Sequence, residues 1–247
     1  MNYFWETVSS IQEGVGFNYY DSTHLTWIFA FILFAVLTSI IYRKSDDSKR
    51  DKIRKLFAIL IVLDEIFKQY GLITNGLWTT GYLPLHLCSI NIFIISYHVF
   101  KPNKTIDNFL YAVCVPGALA AILAPTWVEL PVLNFMHLHS FTIHILLATY
   151  PIMLVAGNDI VVDIKEVPKA ILFTFMLAIP VYFVNVALDE NYMFLMEAEA
   201  GNPLLYFEEW FGFHLIGVPV IESVVILVLY GPFYIVRYLK RKKIKKV

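Results

Sequence analysis

The strongest constraint on this chain is where its Lys and Arg residues stand. Seven lie within 43–55, two are Lys101 and Lys104, two are Lys165 and Lys169, and seven lie within 237–246. Between these basic stretches run apolar segments of about 20 residues, the length that crosses ~30 Å of hydrocarbon at the helical rise. Seven segments qualify: 24–42, 53–72, 81–100, 106–124, 137–156, 168–187 and 214–235. Seven crossings place 18 of the 19 basic residues on one side of a membrane, and six or eight would not. The stretches 1–23, 73–80, 125–136 and 188–213 hold no Lys or Arg. Because basic residues stay on the cytoplasmic side, the N-terminus is expected outside and the C-terminus inside.

Composition agrees. Hydrophobic residues make up 58% of the chain and charged residues only 16%, against roughly a quarter in soluble domains. The expected architecture is all-α: a polytopic bundle of seven transmembrane helices, with no composition break that would divide 1–247 into two domains. The first 23 residues lack the positive n-region of a signal peptide, so the first apolar run is expected to remain in the mature protein. Trp27, Trp78, Trp127 and Trp210 fall near the Lys-free ends of the spans, where amphipathic rings favour the interface. The basic tail orients the chain and attracts anionic lipid. The expected partners are therefore membrane lipids, and no nucleic-acid role is expected. Cys88 and Cys114 both fall within apolar runs, which argues against a disulfide framework.

Ionisable groups at bilayer depth are costly and face a bundle interior or a cavity. Counting from the Lys-free ends at 1.5 Å per residue, Glu65, Cys88 and His144 lie ~10 Å deep and Glu222 ~12 Å deep, on four different spans. His24, His86, His137, His139, Asn185 and Asn191 cluster at or above that level, as do Asp64 and Lys68. The opposite half has almost no such groups, and this asymmetry points to a polar pocket open toward the Lys-free side. The simpler reading of any one His is a hydrogen-bond partner between helices or an interfacial ring. Cys114 reads as a small buried hydrophobe. Cys88 differs: Pro84 suits a helix first turn, which puts Cys88 near a helix N-terminus, where the dipole favours negative charge. His86 and Cys88, two residues apart, would diverge by ~200° on a helix. A base for Cys88 should then come from another helix, and His144 has the matching depth.

The stretch Leu83-Pro-Leu-His-Leu-Cys88, together with His24, Leu123-Ala-Pro125, His144 and Asn191-Tyr-Met-Phe-Leu195, resembles the YwaF-type bacterial integral membrane proteins. The resemblance spans nearly the whole chain. A vertebrate relative of that family is regarded as a phospholipid acyltransferase that uses a Cys and a His. The resemblance thus implies a bacterial cytoplasmic membrane location, with Cys88 as nucleophile and His144 as base.

The function expected on these grounds is a Cys-dependent phospholipid acyltransferase or transacylase, without a cofactor or metal. Glu65 or Glu222 would orient the imidazole, and His86 or Asn191 would donate to the oxyanion. His24, His137, His139 and Asn185 would complete the substrate pocket. One rival is a zinc-dependent seven-helix lipid hydrolase using His86, His137, His139 and Asp64, for which no HExxH-type spacing exists. Another is a non-enzymatic transporter or receptor. The last span has no Lys for a retinal-type Schiff base, and no paired half-repeats are visible.

Overall fold

The computed structural model describes residues 3–12, 14–198 and 204–244, with backbone alone at 222 and 236–244. Every regular element among the described residues is helical. The longer helices are α1 (Ser22–Lys44), α2 (Asp47–Thr74), α3 (Leu87–Phe100), α4 (Lys104–Leu123), α5 (Phe135–Ala156), α6 (Val167–Leu188), α7 (Leu204–Phe211) and α8 (Gly217–Ile244). Their starts follow capping chemistry. Asp21, Asp46, Asn103 and Asn134 accept first-turn N–H groups of α1, α2, α4 and α5. The Asn134 side chain also donates at 2.8 Å to the carbonyls of Tyr3 and Glu6, tying down the N-terminal segment.

Helix α5 is the axis of the bundle. Of its most apolar stretch 72% is buried, against 11% for α1 and for Ile164–Leu188 and 12% for His214–Ile235. It packs against α1, α2, α3 and α4, while α6 lies on α4 and α8 reaches the middle of α4. The core between them is aliphatic and aromatic, with Phe57, Ile61, Ile95, Phe109, Leu147 and Tyr150 fully enclosed. Gly71 lets α2 approach α5 closely, since a Cβ there would stand 2.7–2.8 Å from the Trp5 and Phe135 rings. Within α4, Leu110–Cys114 widen to a π-turn just before Pro116. Proline brings no N–H to the ladder, and a π-turn is one way of absorbing that loss.

Among the described residues, five helices are long and apolar enough to cross a membrane: α1, α4, α5, Ile164–Leu188 and His214–Ile235. The two remaining expected spans are helical but atypical. Helix α2 carries Asp64, Glu65 and Lys68 within its length. Helix α3 is shorter than the expected 81–100, because it begins only at Leu87. Pro84 does not occupy its first turn. It sits in a tight turn in which the Leu85 N–H reaches the Leu83 carbonyl at 2.8 Å. Proline disfavours helical backbone in the residue before it, and Leu83 is accordingly extended.

The basic connections gather at one end. Arg50 donates to Asp159 at 2.8 Å, to the Gly157 carbonyl at 3.1 Å and to the carbonyls of Tyr42 and Ser45 at 3.2 Å. Tyr42 also donates to Asp159, and Arg54 lies 3.5 Å from it. Lys104 lies 3.6 Å from Asp163 and 3.8 Å from Glu166. At the opposite end Tyr19 and Tyr20 donate to the carbonyls of Pro125 and Leu123, and Thr80 donates to Glu190 at 2.5 Å.

Arg50 thus satisfies the C-terminal carbonyls of α1 and the Asp159 carboxylate together. Arg50→Ala should lower unfolding stability in detergent by ~1–3 kcal/mol, because those carbonyls lose a donor and Asp159 keeps only Tyr42 and Arg54. Arg50→Lys should recover only part of that loss, since an ammonium does not span all of these acceptors. Thermal unfolding of the two variants checks this.

Candidate active site

Near the Lys-free end, α2, α3 and α5 enclose a cavity of about 260 Å³. Glu65, Cys88 and His144 all line it, with His86, Lys68 and His139. Cys88 is the second residue of α3, after the N-cap His86. First-turn N–H groups have no partner within the helix. His86 has extended backbone, so the helical divergence expected between His86 and Cys88 does not arise, and both face the same cavity. The Cys88 thiol and the His144 imidazole lie close together in it.

The His144 ring is held on two sides. Its Nδ1 lies 2.6 Å from the Ser140 carbonyl oxygen. A carbonyl only accepts, so Nδ1 carries the proton, and in the neutral ring Nε2 is left as an acceptor. The Trp127 indole stacks on the imidazole, with centroids 5.5 Å apart and planes 11° apart. Glu65 does not contact the base. Glu222 lies on α8 with its side chain outside the described residues. Glu65 Oε1 instead accepts from Lys68 and Gln69, at 2.7 Å and 2.8 Å.

Gln69 also donates to the Tyr82 carbonyl at 2.8 Å and accepts from Trp78 at 3.0 Å, linking α2 to the turn before α3. His139 stands between the carboxylates, with Nδ1 3.1 Å from Asp64 and Nε2 3.9 Å from Glu65. Asp64 accepts from Thr142 at 3.0 Å. Glu65, Lys68 and His139 are each less than a tenth exposed, so this cluster is a buried ionic network.

Other expected site residues stand apart from the cavity. His24 accepts from the Tyr20 N–H and pairs with the Ile122 carbonyl at 2.8 Å, which fastens α1 to α4. His137 accepts from Trp27 and pairs with the Leu130 carbonyl at 3.1 Å, so both its nitrogens are engaged. Asn185 holds the Tyr192 backbone through both its amide atoms, at 2.8 Å and 2.9 Å. Asn191 accepts from the Met196 N–H at 3.0 Å and donates to the Glu197 carbonyl at 3.0 Å. Among the described residues, no three His, Cys, Asp or Glu side chains gather as a metal-binding set. Cys114 is fully buried, with its thiol 3.5 Å from the Leu147 carbonyl.

Sequence reasoning missed the Ser140 carbonyl, the Trp127 stack and the role of the loop after α6. The first follows from an i−4 spacing that any helix contains. The second comes from the irregular segment between α4 and α5, whose course no periodicity reveals.

Lys68→Leu should cost ~3–5 kcal/mol of stability by stranding Glu65, and Glu65→Leu a comparable amount by stranding Lys68. The double variant should be less damaged than the sum of the two, a non-additivity that thermal unfolding of the three proteins measures.

A comparison with protein-family models matches residues 19–230 to the TMEM164 family. No curated protein and no solved structure matches the chain.

Proposed function

The chain belongs to the TMEM164 family and is an integral membrane protein; from that premise we propose that it is a lipid acyltransferase with Cys88 as nucleophile and His144 as base. The observation that carries this reading is the state of His144. Its Nδ1 proton is committed to the Ser140 carbonyl, and its remaining lone pair is in reach of a cavity-lining thiol. A nucleophile, a base and an orienter are thereby brought to one cavity. The resemblance of Leu83–Cys88 to a Cys- and His-dependent family supports the same assignment.

The steps follow. The Cys88 S–H proton passes to His144 Nε2 as the sulfur adds to the carbonyl of an acyl ester. The tetrahedral adduct collapses, the C–O ester bond breaks, and His144 returns the proton to the leaving alkoxide, leaving a thioester on Cys88. An acceptor hydroxyl then gives its proton to Nε2 while its oxygen attacks the thioester. The C–S bond breaks and the thiol recovers the proton. Transfer rather than hydrolysis requires the acceptor hydroxyl to reach the thioester ahead of water.

In this reading all seven apolar segments cross the membrane, with the N-terminus outside and the site toward the outer leaflet. The charges of α2 do not forbid its crossing, because they face α5 and are paired there. The orientation rests on the gathering of the basic connections at one end. A reporter fused after Val247 should read cytoplasmic, and an external reading would overturn the orientation.

The chemistry is tested by intact mass after incubation with phospholipid. The wild type should gain an acyl adduct on Cys88. Cys88→Ala should gain none, and Cys114→Ala should behave as wild type. His144→Ala should slow acylation by on the order of 10²-fold or more. An adduct formed as fast without His144, or one found elsewhere than Cys88, overturns the assignment.

A further inference from the structure

His86 is held in one tautomer by a strap of chain. Residues Tyr192–Phe194 form a single turn that lies against the imidazole, with Tyr192 and Phe194 ring centroids 5.5 Å and 5.7 Å from it. The Met193 N–H donates to His86 Nδ1 at 3.3 Å. A nitrogen that accepts carries no proton, so the neutral ring has its proton on Nε2. No protein group among the described residues takes up that N–H, and His86 lines the cavity with Cys88. His144 is the mirror case, with its proton on Nδ1 and its lone pair on Nε2. The cavity therefore holds one imidazole preset to accept a proton and one preset to donate a hydrogen bond.

The strap itself is over-determined. Met193 and Phe194 are left-handed, at φ 59° and 54°, a conformation that side chains other than Gly rarely adopt. It is pinned by Asn185 from α6, by the Tyr192 hydroxyl on the Thr80 carbonyl, and by His214, whose Nε2–H reaches the Phe194 carbonyl at 2.9 Å.

We propose that His86 is the electrophile of the site: its Nε2–H, preset by the Met193 N–H, hydrogen-bonds the oxyanion formed when Cys88 adds to an acyl carbonyl. This rests on the acyl-transfer reading of Cys88 and His144. No proton is transferred by His86. Its hydrogen bond stabilises the negative oxygen of the tetrahedral adduct and relaxes when the C–O bond breaks. Such a donor acts only where charge develops in the transition state.

Two reactions of the full-length protein in detergent separate this role from any effect on the thiol. p-Nitrophenyl butyrate acylates Cys88 through an oxyanion. Iodoacetamide alkylates it by displacement at a saturated carbon, with no oxyanion. His86→Ala should slow acylation about 10²-fold and leave the alkylation rate unchanged. His86→Gln offers an amide N–H near the same place and an oxygen toward Met193, and should regain at least about tenfold of the loss. Equal slowing of both reactions by His86→Ala, or of neither, overturns the proposal while Cys88 acylation in the wild type stands. Absence of a Cys88 adduct in the wild type instead removes the acyl-transfer reading itself. Should His86→Ala fail to fold, His86→Gln alone decides: it must acylate more slowly than wild type at an unchanged alkylation rate, and any other pattern counts against the proposal.

Discussion

A charged or polar group inside an apolar helical bundle has no water to turn to, so it must find its partner within the protein. Most of the placements around the cavity follow from that constraint. Lys68 and Glu65 lie one helical turn apart on α2 and are both buried, with Nζ and Oε1 2.7 Å apart. Asp64 beside them turns to Thr142 and His139 of α5. The face of α2 that would be most costly in lipid is thereby fixed against α5. Gly71, one turn further on, removes the Cβ that would hold the two helices apart. With α2 set against α5, the residues of α5 at the same level, Ser140 and His144, front the cavity.

The same rule explains why the imidazoles differ in kind. His24 and His137 have both nitrogens occupied and serve as joints between elements. His86 and His144 each have one nitrogen committed to backbone, to an N–H in one case and a carbonyl in the other. Their opposite tautomers are consequences of those backbone partners. Holding Met193 and Phe194 left-handed costs of order 1–3 kcal/mol per residue, which the anchors at Asn185, Tyr192 and His214 offset. Strain kept in place by so many contacts beside a cavity is consistent with a site that needs a rigid wall.

Much of the fold was legible in the sequence, since a helix stands near every expected apolar segment and the basic connections meet at one end. What length and hydropathy misjudged was the start of α3. The charges of α2 fall within an expected span and are partnered inside the bundle. In α3, Pro84 withholds the residues before Leu87 from the helix. Depth counting placed Glu65, Cys88 and His144 at one level, and all three line one cavity. It failed to separate lining residues from joints, because depth says nothing of rotation about a helix axis. Thus His24 and His137, chosen on the same grounds, face elsewhere. The divergence argued for His86 and Cys88 assumed a helix where the chain is extended, and the contact at His144 Nδ1 comes from a main-chain carbonyl that carries no sequence signal.

The central claim is that an acyl group passes through Cys88 to an alcohol. The most direct measurement is a single turnover from the isolated acyl-enzyme. Protein carrying a labelled acyl thioester on Cys88 is freed of donor, mixed with lysophospholipid micelles, and followed by the mass of the protein and the identity of the labelled lipid. The predicted result is loss of the adduct with the label recovered in diacyl phospholipid, faster than any release of free fatty acid. An adduct that persists beside the acceptor, or label recovered only as free fatty acid, would contradict it.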